Sequence, residues 1–127
     1  MTRKEALEAL LVKVETGEFP SKWRLLNEAG LAHNSYGLHL PGYASDAYSG
    51  SLDAAKALHE AVLPLWVVSS FSIWGPDSSI EIYGTHTENG EGWWHTHGDG
   101  REIGRSESPA RAWLIAIIKA LIAECEE

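Results

Sequence analysis

The densest run of reactive side chains in the sequence is Gly92-Trp93-Trp94-His95-Thr96-His97-Gly98-Asp99-Gly100. Alternate residues of an extended strand share a face, so His95 and His97 would point the same way, as a metal pair requires. A hydrolytic zinc site also needs a third ligand and a carboxylate base. Glu81 can supply the base and His86 is a candidate third ligand, whereas Asp99 lies too close to His97 in sequence to serve easily. Without metal, the imidazoles can act as acid–base groups on a phosphodiester or bond ligand hydroxyls. The plainer reading is a hydrogen-bonded strand. No Ser-His-Asp spacing, Walker loop or dinucleotide fingerprint is present, and Gly90-Glu91-Gly92 and Gly98-Asp99-Gly100 read as turns.

A second kind of chemistry comes from two serine-rich helix starts, Ser49-Gly50-Ser51 and Ser106-Glu107-Ser108-Pro109. Free N–H groups and the helix dipole make an anion site there without net positive charge. Arg101, Arg105 and Arg111 add planar forks that suit phosphate, and Tyr48 stands beside the first start to stack or hydrogen-bond. The plainer reading is capping, with ion pairs to Glu102 and Glu107. Six tryptophans (Trp23, Trp66, Trp74, Trp93, Trp94, Trp113) exceed a typical share several-fold. They imply either an aromatic core and interface or a flat-walled pocket for a planar ligand. The candidate ligand-binding set is therefore Tyr48, Ser49, Ser51, Trp74, Trp94, His95, His97, Arg101, Arg105, Ser106, Ser108 and Arg111. No residue is assigned as catalytic or as a metal ligand, and no cofactor is expected.

These residues must be positioned by one domain, residues 1–127, of ordinary globular composition. Eighteen acids against ten bases leave a charge of −8, which argues against duplex nucleic acid as a partner. The single cysteine, Cys125, excludes internal disulfides and cysteine-rich zinc sites, and reads as an ordinary helical residue rather than a catalytic thiol. The charged first segment carries no secretory signal, and no apolar run is long enough for a membrane span. A reduced, cytosolic protein is expected.

Ala6, Leu7, Leu10, Leu11 and Val14 recur at helical spacing over residues 3–16, with Gly17 as C-cap. Residues 18–49 are irregular, with Trp23, Leu25 and Leu26 as anchors and weak strand character over 35–40; such a stretch suggests a ligand-covering loop. A second helix spans 52–62, burying Leu52, Ala55, Leu58 and Val62, and Pro64 closes it. Residues 66–74 read as a buried strand, 79–83 as its hairpin return, 92–97 as a third strand and 101–105 as a short fourth. Ser108 and Pro109 start the last helix, apolar on nearly all faces to Ala123, which predicts a homo-oligomer formed through it. The class is α+β: an antiparallel sheet of three to four strands sandwiched with N-terminal, middle and C-terminal helices.

Two segments carry a resemblance. Ala47-Tyr48-Ser49-Gly50-Ser51-Leu52-Asp53-Ala54-Ala55 with Leu63-Pro64-Leu65-Trp66, and Ser108-Pro109-Ala110-Arg111-Ala112-Trp113, resemble the phage ABA sandwich domain family of small bacteriophage proteins. That family combines an N-terminal amphipathic helix, a Tyr-Ser-x-Ser-Leu-Asp-Ala-Ala segment, a Pro-x-Trp entering the sheet and an Ala-Arg-Ala final helix. The correspondence covers most of the chain, with residues 20–42 and 75–100 fitting loosely. It implies a small phage-encoded accessory protein acting in the cytoplasm of an infected bacterium. By analogy of size, context and pocket chemistry, such a protein sequesters a nucleotide-derived immune signal, an ADP-ribose derivative or a cyclic oligonucleotide, without cleaving it. The rival readings are a hydrolase built on His95-Thr96-His97 and a structural or host-enzyme-binding phage protein without a small ligand.

The histidine strand also resembles the Gly-aromatic-aromatic-His-Ser/Thr-His-Pro core of JAMM metalloproteases, but Gly98 replaces the proline. The Ser-x-x-Asp ligand of that family fails as well, because Pro109 stands three residues after Ser106. Protein purified without a histidine tag is therefore expected to hold no stoichiometric zinc. One zinc per chain by elemental analysis would revive the hydrolase.

Overall fold

The computed structural model describes residues 2–19, 24–31, 40–64, 66–74, 77–84 and 101–125; for Ile73, Trp74, Asp77, Gly84 and Arg101 it describes the backbone alone. Thr2 opens α1 (Arg3–Glu15) with a capping box. Its hydroxyl accepts from the Glu5 amide at 3.1 Å, and the Glu5 carboxylate accepts from the Thr2 amide at 3.2 Å. The bonds from Thr2, its backbone amide foremost, hold the Glu5 carboxyl below its ordinary pKa. Ala6, Leu7, Leu10 and Val14 form the buried stripe, and the helix closes at the expected Gly17.

The segment read as irregular contains two helices, α2 (Arg24–Glu28) and α3 (Leu40–Tyr48). Pro41 and Gly42 masked the second one. A proline in the first turn displaces no helical hydrogen bond, so α3 tolerates it and buries Leu40, Pro41, Ala44 and Ala47. Leu40 is thus helical rather than part of a strand, and residues 35–39 lie outside the described set. Gly50, at φ +117°, turns the chain from α3 into α4 (Leu52–Val62), its neighbour's amide closing on the Asp46 carbonyl at 2.9 Å. The stripe of α4 is rotated from the expected one. Ala54, Ala55, Leu58 and His59 are buried, whereas Leu52 is 39% exposed and Val62 only partly covered.

Strands β1 (Trp66–Trp74), β2 (Asp77–Gly84) and β3 (Arg101–Ser106) form an antiparallel sheet in the order β1-β2-β3. The β1–β2 register runs from Trp66↔Gly84 to Trp74↔Asp77, shifted at a bulge between Val68 and Ser70. Strand β1 is an edge, not a buried strand: Val68 and Phe71 are each 39% exposed. The expected strand over residues 92–97 lies outside the described residues.

Helix α5 (Pro109–Glu124) lies between two layers. It packs on β2 and β3 on one side and on α1, α3 and α4 on the other. Its buried residues, Leu114, Ile115, Ile117, Ile118 and Leu121 among them, are therefore covered inside one chain. This corrects the argument for an oligomer through the last helix, since its apolar faces need no second subunit. On the sheet side, Ile80 and Ile82 are fully buried and Gly104 stands opposite Ile80. A Cβ on Gly104 would collide with the Ala112 carbonyl and press on the Ala116 amide.

That contact has no slack. Gly104→Ala is expected to destabilise the protein by about 3 kcal/mol or more, at or beyond the upper end of ordinary overpacking. Urea unfolding at unchanged m-value measures it. A loss under about 1 kcal/mol would show that the helix retreats freely from the sheet.

Candidate functional site

The turn between α4 and β1 is tight. The Leu63 amide reaches back to the His59 carbonyl at 2.8 Å, and the Trp66 amide to the Leu63 carbonyl at 3.0 Å. The turn brings the last helical turns of α4 against the first residues of β1. Between them and Trp113 of α5 opens a cleft of about 450 Å³, lined by Lys56, His59, Glu60, Leu63, Pro64, Trp66, Val67, Val68 and Trp113. That volume falls in the range of small-molecule sites.

His59, 5% exposed, organises the cleft. The Trp113 indole N–H, which can only donate, points at its Nδ1 at 3.0 Å. The Trp66 carbonyl, which can only accept, lies 2.7 Å from its Nε2. These partners fix one neutral tautomer, with the proton on Nε2. The Trp113 ring stands edge-on to both His59 and Phe71, with centroids at 5.8 and 6.2 Å, and stays partly exposed. The Trp66 indole donates to the Glu124 carboxylate at 3.2 Å, tying the start of β1 to the end of α5. At the cleft mouth Lys56 and Glu60 are exposed on one face of α4.

Elsewhere, the structure brings the two expected anion sites side by side but satisfies them internally. Arg111 donates through Nε and Nη2 to the Tyr48 carbonyl at 3.2 and 3.1 Å, and its guanidinium lies 4.0 Å from the centre of the Tyr48 ring. Tyr48 itself packs on Phe19 at 5.1 Å. At the start of α5, the Ser106 hydroxyl accepts from the Ser108 amide at 3.4 Å, and Ser108 caps the Arg111 amide at 3.3 Å. Pro109 has no N–H, so little of this terminus remains for an anion. At the start of α4, Ser51 caps the Ala54 amide at 3.1 Å, and Asp53 places a carboxylate in the first turn. The Ser49 amide closes on Ser45 at 3.0 Å. Arg105 is exposed opposite Ser79, on the other side of β3 from Gly104.

The backbone places Trp74 at the end of β1 and Arg101 at the start of β3, whereas Trp94, His95 and His97, with His86 and Asp99, lie outside the described residues. Glu81 on β2 receives the Ser69 hydroxyl on its carbonyl and carboxylate, at 3.1 and 3.2 Å. Among the described residues, no group of three or more His, Cys, Asp or Glu is placed to hold a metal. Sequence reading missed His59, Lys56 and Glu60. The available signal was His59 one residue after Leu58 on the apolar stripe of α4, where an imidazole must find partners.

His59→Phe keeps the ring but strands the Trp113 N–H and the Trp66 carbonyl. At about 1–3 kcal/mol for each buried group left unpaired, a loss of about 2–6 kcal/mol is expected. Thermal and urea unfolding measure it, and an unchanged midpoint would mean the two bonds contribute nothing.

Compared with protein-family profiles, with characterised proteins and with solved structures, the chain matches none.

Proposed function

We propose that the chain is a non-catalytic binding protein that sequesters a nucleotide-derived signal of bacterial immunity, and that it belongs to the phage ABA sandwich family it resembles. The observation that carries the binding reading is the cleft beside Trp113. It has the volume of a small-molecule site, aromatic and aliphatic walls, and one ammonium at its mouth from Lys56. A planar base fits against the exposed part of the indole, and a phosphate against Lys56. The imidazole that lines the cleft supports binding over catalysis. Both its nitrogens are engaged by the protein, so moving a proton would break the bonds that hold the walls. The family resemblance supplies the phage context and the cytoplasm of an infected bacterium as the place of action; the order of helices and strands is compatible with it.

The test uses cyclic ADP-ribose and cyclic di-AMP as probes. Tryptophan fluorescence should change on binding, and heat denaturation should release intact probe at about one per site. Lys56→Ala removes a hydrogen bond to charge worth about 1.5–3 kcal/mol, so affinity should fall roughly tenfold to hundredfold while the melting temperature holds. Release of a converted product would make the protein an enzyme. Absence of binding by both probes would overturn the reading.

A further inference from the structure

The cleft mouth carries two opposite charges that do not answer each other. Lys56 and Glu60 stand one helical turn apart on the same face of α4, and both line the cleft. Neither makes an ion pair or hydrogen bond among the described residues. Lysine before glutamate is also the weaker order for an intrahelical pair. The heads are thus available to a ligand. Their combined demand is one unit of negative charge on the ligand beside one hydrogen-bond donor.

Resting on the binding function proposed above, we infer that this pair selects phosphodiesters carrying a free ribose hydroxyl and rejects nucleotides with a terminal phosphate. A diester has one negative charge per phosphate, which Lys56 matches. A terminal phosphate carries about −1.5 to −2 at neutral pH, so it brings up to a second charge toward the Glu60 carboxylate. The Glu60 oxygens accept from a ribose hydroxyl, an interaction no additional phosphate oxygen can replace. The buried imidazole offers no relief, because its N–H is held by the Trp66 carbonyl. The selection has a use: a protein that holds a cyclic or diester signal in a cell must ignore abundant 5′-mononucleotides and triphosphates. Attraction to one partner and repulsion of the competitor are then built from adjacent residues of one helix.

Matched probes test this. 3′,5′-Cyclic AMP and 5′-AMP share base and sugar and differ in diester against terminal phosphate. Fluorescence titration of the whole chain should show cyclic AMP bound at least about tenfold more tightly, the effect of roughly one unfavourable charge contact. Glu60→Gln, at an exposed position, should bring the two affinities within about threefold by strengthening 5′-AMP, with the melting temperature unchanged. Equal binding of the two nucleotides by the wild-type chain, a preference for 5′-AMP, or a ratio unaffected by Glu60→Gln would overturn the inference. So would failure of cyclic AMP to bind. If cyclic ADP-ribose or cyclic di-AMP still binds in any of these cases, the binding function stands and only the selectivity falls. If they fail too, both fall together.

Discussion

The arrangement of the chain depends on how closely β3 approaches α5. Gly104 presents no side chain to the helix, and Ala112 and Ala116 present almost none, so backbone lies nearly on backbone. The Lys119 ammonium then reaches the Ile103 carbonyl at 2.9 Å, fixing the strand along the helix. With α5 drawn onto β3 and β2, β1 extends past it as an edge with Val68 and Phe71 partly exposed. Trp113 faces that overhang, and the cleft forms between the overhang, the end of α4 and this indole. A larger residue at position 104 would lift the helix and move Trp113 away from β1. The cleft is thus a consequence of packing several residues away from it.

Within the cleft, His59 does the positioning. One imidazole bonds a strand carbonyl and a helix indole, and so links α4, β1 and α5 at one point. Each of these groups is buried or partly buried, and each would be costly to leave unpaired. The arrangement favours a rigid wall over a reactive one. A preformed wall reduces the ordering cost of binding, which matters most for a small ligand with few contacts. Arg111 plays the comparable part at the opposite end of α5, where its fork holds the last carbonyl of α3.

Local signals in the sequence were sufficient where a cap or a period defined the element. Thr2, Gly17, Ser51, Ser108 and Pro109 mark helix ends that the structure keeps, and the run from Trp66 to Trp74 is a strand with those bounds. They were insufficient where tertiary packing decides. Pro41-Gly42 resembles a break until burial of Ala44 and Ala47 is known. The all-round apolarity of α5 admits a partner subunit or a central position, and only the placement of α1, α3 and α4 behind it chooses the latter. The same limit applies to the site. Serines and arginines at helix starts carry one signature whether they bind phosphate or each other, and here Arg111 engages Tyr48. His59, Trp66 and Trp113 are far apart in sequence, so nothing local announces that they meet.

A charge of −8 does not conflict with holding an anion in such a cleft. At physiological ionic strength, charges beyond about 8 Å are largely screened, so the bulk of the acidic surface acts weakly on a ligand already seated. Its effect falls on the encounter, which lacks the acceleration that a basic surface gives. Affinity for the proposed ligand must then reside in slow release, from stacking on Trp113 and the single contact at Lys56. Such a design gives up speed of capture and gains discrimination. An acidic surface repels every nucleotide approximately by its charge, and the most highly charged competitors are repelled most. Glu60 continues at short range what the surface begins at long range, so both distances disfavour the same competitors.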